Sequence, residues 1–407
     1  MDLDALAALG DEPIGWRFKA IPAGFSGTAS EFAAARHPLS ELGTPLLTLD
    51  ARALDHNIAA MASWTADSGV LLAPHGKTTM APQLWQRQLR AGAWGITLAN
   101  APQVRVARAF GVRRVLLANA LAEAQALRWI AGELAADPEF EFLCWADSPD
   151  TVALMDSALR GCERPVHVLA ELGAPGGRTG ARSGAEVKAV AEAIRRAPTL
   201  RLAGLAGYEG ALAHDSSPAA LSTVERYLES MAELHGALDY ETERPVVTAG
   251  GSAYFDQVAA VLGGLPGADV VIRAGAYVIH DDGFYRGISP FVRGAGRDPL
   301  RSAMHGWGRV VSRPEPGLAL LDVGKRDLPF DEGLPVPHGL PGAEVTALND
   351  QHAFLRLPAD APLAIGDVVR LGLSHPCTAL DKWQLIPVID DVDAADPVVT
   401  GLIRTFF

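Results

Sequence analysis

The stretch GVLLAPHGKTT, residues 69–79, joins a short apolar run to a lysine, Lys77, just past its end. The run is continuous rather than alternating. That suits a strand buried on both faces, as parallel sheets require. Seven more runs of this kind follow: WGITLAN (94–100), RVLLAN (114–119), FEFLCWA (140–146), VHVLAEL (166–172), LAGLAGYE (202–209), PVVTAGG (245–251) and DVVIRAG (269–275). Most lead into a helix-like segment, such as residues 185–197, where Val187, Val190, Ala191 and Ile194 recur at helical spacing. Eight such units over roughly 210 residues predict an α/β fold, a (β/α)8 TIM barrel. A doubly wound open sheet is the competing arrangement, and the number eight favours closure.

Beyond about residue 285 the texture changes. Pro and Gly become frequent, and strand-like pieces replace the helices: GRVVSR (308–313), LALLDV (318–323), HAFLRL (352–357), DVVRLGL (367–373) and WQLIPVID (383–390). The expected division is a barrel over residues 45–285 and a mostly β domain from residues 1–44 and 286–407. One run, PLLTLD (45–50), precedes the barrel strands and is a candidate to pair with the later β segments.

The 407 residues carry 35 Lys and Arg against 48 Asp and Glu, a formal charge of −13. That balance argues against a nucleic-acid or anionic-membrane partner, either of which needs a basic surface. It leaves room for a small anionic ligand held by a local cluster of donors. No apolar run is long enough for a membrane span. The acidic N-terminus lacks the pattern of a signal peptide. Three cysteines, Cys144, Cys162 and Cys377, are too few for a disulfide framework. These features predict a soluble cytoplasmic protein.

Three motifs stand out chemically. Lys77 follows the carboxyl end of the first barrel strand, where catalytic residues of this architecture emerge. A lysine partly withdrawn from water there has a lowered pKa and can form a Schiff base with an aldehyde cofactor, although a solvated loop lysine fits equally. TAGGSAYF (248–255) ends the seventh run. There Thr248, Gly250, Gly251 and Ser252 form a candidate anion nest, with Ser252 capping the next helix. Loops after strands seven and eight are the recurrent phosphate site of TIM barrels, so the two motifs together suit pyridoxal 5′-phosphate. The third motif is His375-Pro376-Cys377. In an extended segment, residues i and i+2 share a face, and imidazole plus thiolate suits zinc. Two ligands alone fit a packed histidine and a buried thiol as well.

TPLLTLDARALDHNI (44–58), PHGKT (74–78), ELGAPGGRTGAR (171–182), GYEG (207–210), TAGGS (248–252), RAGAYVIHD (273–281) and SHPCTALDKW (374–383) run in order along nearly the whole chain. With them the sequence resembles the fold-type III, alanine-racemase-like pyridoxal-phosphate enzymes, in the D-serine dehydratase and D-threonine aldolase branch. The resemblance implies a barrel plus β domain, a homodimer, and Lys77 as the Schiff-base lysine. It implies that Arg178 faces the pyridine nitrogen, that Tyr208 lines the cofactor and that Tyr277 contacts its phosphate. Core packing with a satisfied hydroxyl is the other reading for both tyrosines. Glu209 departs from the family pattern, which often has histidine beside the tyrosine. The resemblance further implies zinc on His375 and Cys377. The aldolase branch instead presents a carboxylate two residues after the histidine and prefers a harder ion. The expected activity is therefore dehydration and deamination of a D-3-hydroxy amino acid of the D-serine or D-threonine type to a 2-oxo acid and ammonia. Aldol cleavage is the alternative, and a non-catalytic pyridoxal-phosphate-binding protein is a more distant one. His352 is a candidate neighbour of the metal, His75 a supporting residue of Lys77, and Asp381 and Trp383 candidate walls of a substrate pocket.

Overall fold

In the computed structural model, residues 1–294 and 299–407 are described. The chain divides into two compact units. One comprises Met1–Asp2, Met61–Lys77 and Gln88–Gly275, and the other Leu3–Ala60, Thr78–Arg87 and Ala276–Phe407.

All eight apolar runs are strands of one parallel sheet in the first unit. They are Leu71–Leu72, Ile96–Leu98, Arg114–Ala120, Glu141–Ala146, Val166–Leu172, Leu200–Gly207, Val246–Ala249 and Asp269–Ile272. Neighbours in sequence are neighbours in space, and the eighth strand pairs with the first through Val271–Leu71 and Ile272–Leu72. Between the first and second strands the ladder reduces to one bridge, His75 with Thr97. There the Trp94 N–H donates to the Leu72 carbonyl (2.7 Å) and the Thr97 N–H to the Pro74 carbonyl (2.9 Å). The sheet is thus curled on itself in TIM-like fashion around an interior of Leu116, Leu143, Trp145, Leu169, Ala206 and Val271.

The helices begin where polar caps follow the strands. Asn100, Ser148, Ser183 and Ser217 each accept a backbone N–H from the first turn, and Pro follows at the start of three of these helices. In Gly184–Arg196 the buried face is Val187, Val190, Ala191 and Ile194, as the periodicity requires.

The second unit is built on a nine-stranded, mostly antiparallel sheet. Leu46–Asp50 lies inside it, antiparallel to Met304–Glu315 and parallel to Leu385–Ile389. Val368–Gly372 pairs with Met304–Glu315 on one side and Val336–Pro337 on the other. Phe32, Leu42, Leu46, Trp307, Ile389 and Val399 form a core there. Among the described residues no helix is long and apolar enough to cross a membrane.

Candidate active site

In the first unit the strand ends carry an unusual density of buried polar groups. Arg273 follows the eighth strand and is 4% exposed. Its guanidinium donates to Thr248 Oγ1 (2.6 Å) and to the Gly207 carbonyl (2.7 Å), and it lies 5.0 Å from the centroid of the Trp145 ring. Thr248 in turn donates to the Val271 carbonyl (2.7 Å), so its hydroxyl positions Arg273. Glu171, at the end of the fifth strand, is buried and accepts the Thr179 hydroxyl on Oε1 (2.8 Å), while its Oε2 has no hydrogen-bond partner. Burial pushes its carboxyl up to about 7.

Lys77 occupies the short turn Gly76–Thr78 and is half-buried. His75 is held well below the usual imidazole range by burial and by the positive charges of Lys77, Arg273 and Arg178. The three cations therefore act on one place. His75 Nδ1 and Trp145 Nε1 are buried there without hydrogen-bond partners. Convergent cations beside orphaned polar atoms are what a bound anionic cofactor completes, so these residues fit pyridoxal phosphate. Arg178 is exposed, with its guanidinium 4.9 Å from the centroid of the Tyr208 ring. The Tyr208 N–H donates to Tyr227 Oη (3.1 Å), whose own O–H donates to the Leu172 carbonyl (2.6 Å).

The glycine nest departs from expectation. The Gly250 and Gly251 N–H groups both donate to the Glu209 carboxylate, at 2.9 and 2.7 Å, so the anion they hold belongs to the chain itself. Gly250 has φ +87°, and a Cβ there would lie 2.9 Å from Ile272 Cγ2, so the turn requires glycine. Nor does Ser252 cap the following helix, which starts at Phe255 with Tyr254 at its N-cap. Ser252 Oγ accepts the Gly275 N–H (3.3 Å) and ties the loop after strand seven to the loop after strand eight.

In the second unit Tyr277 is buried in the turn Ala276–Val278. His375 and Cys377 do converge, but not along a strand face. His375 has φ 57° and ψ 83°, in the left-handed region, and stands at the N-cap of the helix Pro376–Leu380 that contains Cys377. Pro376, with no N–H to contribute, starts that helix in place of an extended segment. The Asp281 carboxylate holds the turn, accepting the His375 N–H (3.0 Å) and those of Gly283 and Tyr285. His375 Nδ1 meets Asp331 Oδ2 at 2.6 Å, and hydrogen bonding to Cys377, with Asp331 beside it, raises the imidazole to about 9. A carboxylate behind one ring nitrogen frees the other for a metal, so imidazole, thiolate and Asp331 fit zinc. Cys377 Sγ–H donates to Thr78 Oγ1 (3.4 Å), the residue following Lys77.

Two more positions differ from the sequence reading. His352 is exposed in the hairpin between Glu344–Leu348 and Ala353–Arg356. Trp383 is a core residue, 2% exposed, with Nε1–H donating to the Asp327 carbonyl (2.8 Å). Asp381 ends the Pro376–Leu380 helix, and burial raises its carboxyl. Sequence reasoning gives no role to Glu171, Glu209, Arg273, Asp281 and Asp331, and notes Glu209 only as a departure from the family pattern. The first three were marked by charged residues ending apolar runs. Asp331 lies over forty residues from its partner and carries no local signal.

Residues 49–275 match the family described as alanine racemase, N-terminal domain, more than half of the chain. The chain belongs to that family. It is the fold-type III family of pyridoxal-phosphate enzymes. Residues 303–389 match a second family, described as putative serine dehydratase domain. A D-threonine aldolase of Arthrobacter sp. is 29% identical over 360 residues, 87% of this chain and 91% of the relative. The crystal structure of D-threonine aldolase from Filomicrobium marinum has a TM-score of 0.78 at 25% identity, covering 91% of this chain and 97% of the other. D-threo-3-hydroxyaspartate dehydratase from Delftia sp. HT23 shares the fold, with a TM-score of 0.73 at 20% identity over 90% and 98% of the two chains. The relatives are thus enzymes that process D-hydroxy amino acids.

Proposed function

We propose that the protein is a pyridoxal-phosphate- and zinc-dependent lyase. It removes water from a D-3-hydroxy amino acid, and hydrolysis of the product then yields a 2-oxo acid and ammonia. The observation that carries this reading is the His375–Cys377 pair, backed by Asp331 and hydrogen-bonded to Thr78. A thiolate in the pair favours zinc over a harder ion.

Bound pyridoxal phosphate supplies an electron sink for charge developing at Cα, and zinc a Lewis acid for the departing hydroxyl. Lys77 holds the cofactor through its amine and then takes the α-proton as general base. Arg178, over the Tyr208 ring, is the proposed donor to the pyridine nitrogen; its permanent charge keeps that nitrogen unprotonated. Arg273 would supply positive potential to the cofactor, its guanidinium fixed by Thr248 and the Gly207 carbonyl. Ser252 and Tyr277 are the proposed phosphate contacts, while Gly250 and Gly251 act through Glu209. Asp331 orients His375. The reading also carries a homodimer, which rests on the family resemblance, and a cytoplasmic location, which rests on the sequence features given above.

A second reading is aldol cleavage to glycine and an aldehyde, favoured by the 29% identity to a D-threonine aldolase. A product assay on the zinc- and cofactor-loaded protein, with D-serine and D-threonine separately, decides between them. A 2-oxo acid with ammonia is expected, and Cys377→Ala should lose turnover while retaining cofactor. Glycine with an aldehyde would overturn elimination.

A further inference from the structure

Apart from the residues already discussed, the described residues of the second unit contain one more convergence of metal-ligating side chains. Asp282, His305 and His338 present a carboxylate oxygen and two imidazole nitrogens, all within 4.8 Å of one another. Asp282 Oδ2 and His338 Nε2 are 3.1 Å apart, and the two imidazoles meet edge to face at 6.0 Å between centroids.

His305 is 4% exposed, yet neither ring nitrogen has a hydrogen-bond partner. Two orphaned nitrogens on one buried imidazole are a cost that a bound ion removes.

The backbones of all three residues are fixed to one strand segment. The Asp282 N–H donates to the Leu373 carbonyl and the His338 N–H to the Arg370 carbonyl, both at 2.9 Å, while His305 stands opposite Gly372 in the ladder. Gly372 is the floor of the cluster. A Cβ there would lie 2.5 Å from Asp282 Oδ2 and 2.6 Å from His338 Nε2, so any side chain would fill the space between the ligands.

The surrounding charges permit a cation. Arg370 faces His305, but its guanidinium is neutralised by Asp393 Oδ1 at 2.7 Å. Arg286 sits on the other Asp282 oxygen, Oδ1, at 3.4 Å, with its side chain mostly in solvent. Oδ2 faces the imidazoles.

We propose that Asp282, His305 and His338 form a second metal site, distinct from His375 and Cys377, that takes a first-row divalent transition ion such as zinc or cobalt. Two imidazoles and one carboxylate suit such ions, with water completing the coordination. Around a tetrahedral zinc, ligand atoms sit about 3.3 Å apart, so closing the set requires only small side-chain rotations. The ion would join three segments of the second unit, and its role would be to brace the sheet.

The test is cobalt(II) titration of the cofactor-loaded protein after chelation, followed by absorbance and by metal content per chain. Wild type should bind two equivalents, one with a near-ultraviolet thiolate-to-cobalt band and one with d–d bands only. Cys377→Ala should keep the second equivalent alone. His338→Ala should keep the first alone. Gly372→Ala should also lose the second, although all three ligands remain. The proposal is overturned if wild type binds one equivalent and Cys377→Ala none, or if the second equivalent survives in both His338→Ala and Gly372→Ala. One equivalent without a thiolate band, retained in Cys377→Ala and lost in His338→Ala, would uphold this site and remove the His375–Cys377 reading instead.

Discussion

Glu209 sets the charge balance at the barrel mouth. Its carboxylate takes two backbone amides that would otherwise face a ligand, and its charge opposes the cost of burying Arg273. Glu171 is a group that responds to pH in the neutral range. Its carboxyl rises from 4.5 to about 7 because the folded protein disfavours the charged form. The stability it contributes is therefore full below pH 4.5 and is lost as pH rises through about 7, a loss of roughly 3 kcal/mol at most. Glu171→Gln should flatten the profile across that window, as read by urea unfolding of the cofactor-free protein at a series of pH values. Asp331 belongs to the same scale. If it orients His375 toward zinc, Asp331→Asn should weaken zinc binding roughly 10- to 100-fold in a competition titration while cofactor loading is unchanged. Lys77→Ala should lower kcat on the reactive D-hydroxy amino acid by roughly 10^3-fold, the scale of a lost general base. Lys77 was legible because a cation at the end of an apolar run is conspicuous. Asp331 was not, because the pairing that makes it matter exists only after the chain has folded.

Short elements explain where spacing misleads. His375-Pro376-Cys377 reads as a ligand pair along a strand, yet the structure turns it into a left-handed residue followed by one and a half turns of helix. The pair survives because Asp281, from a different part of the chain, pins the His375 amide. The barrel helices were easier to read, since their caps and apolar faces are local. Ser183 caps Gly184–Arg196 by accepting the Glu186 N–H at 3.2 Å. Ser183→Ala should cost about 1 kcal/mol in urea unfolding with an unchanged slope. Strands Glu344–Leu348 and Val399–Arg404 went unread for a related reason. Both mix exposed polar positions with apolar ones, so neither stands out as a continuous run.

The whole molecule was legible as a count of eight apolar runs, because strands buried on both faces leave little choice of residue. Sheet membership in the second unit was less so, since it rests on pairings across hundreds of residues. Leu46–Asp50 is an inner strand there, fully buried, with partners on both sides. A fragment of residues 276–407 lacks it and would expose the edges of Met304–Glu315 and Leu385–Ile389. That fragment should lack the cooperative thermal transition, by circular dichroism, that the intact chain shows.

The same strand has a consequence for synthesis. Leu46–Asp50 leaves the ribosome about 250 residues before its partner Met304–Glu315. At ~5–20 residues per second that gap lasts on the order of 10–50 s. During it, a five-residue strand that is fully buried in the folded protein has neither of its final neighbours, while all eight barrel strands are made. A nascent chain in that state presents a sticky edge to its siblings on the same messenger. The yield of folded protein should therefore depend on how quickly translation reaches the C-terminal strands, and on chaperones that hold the N-terminal segment until they arrive.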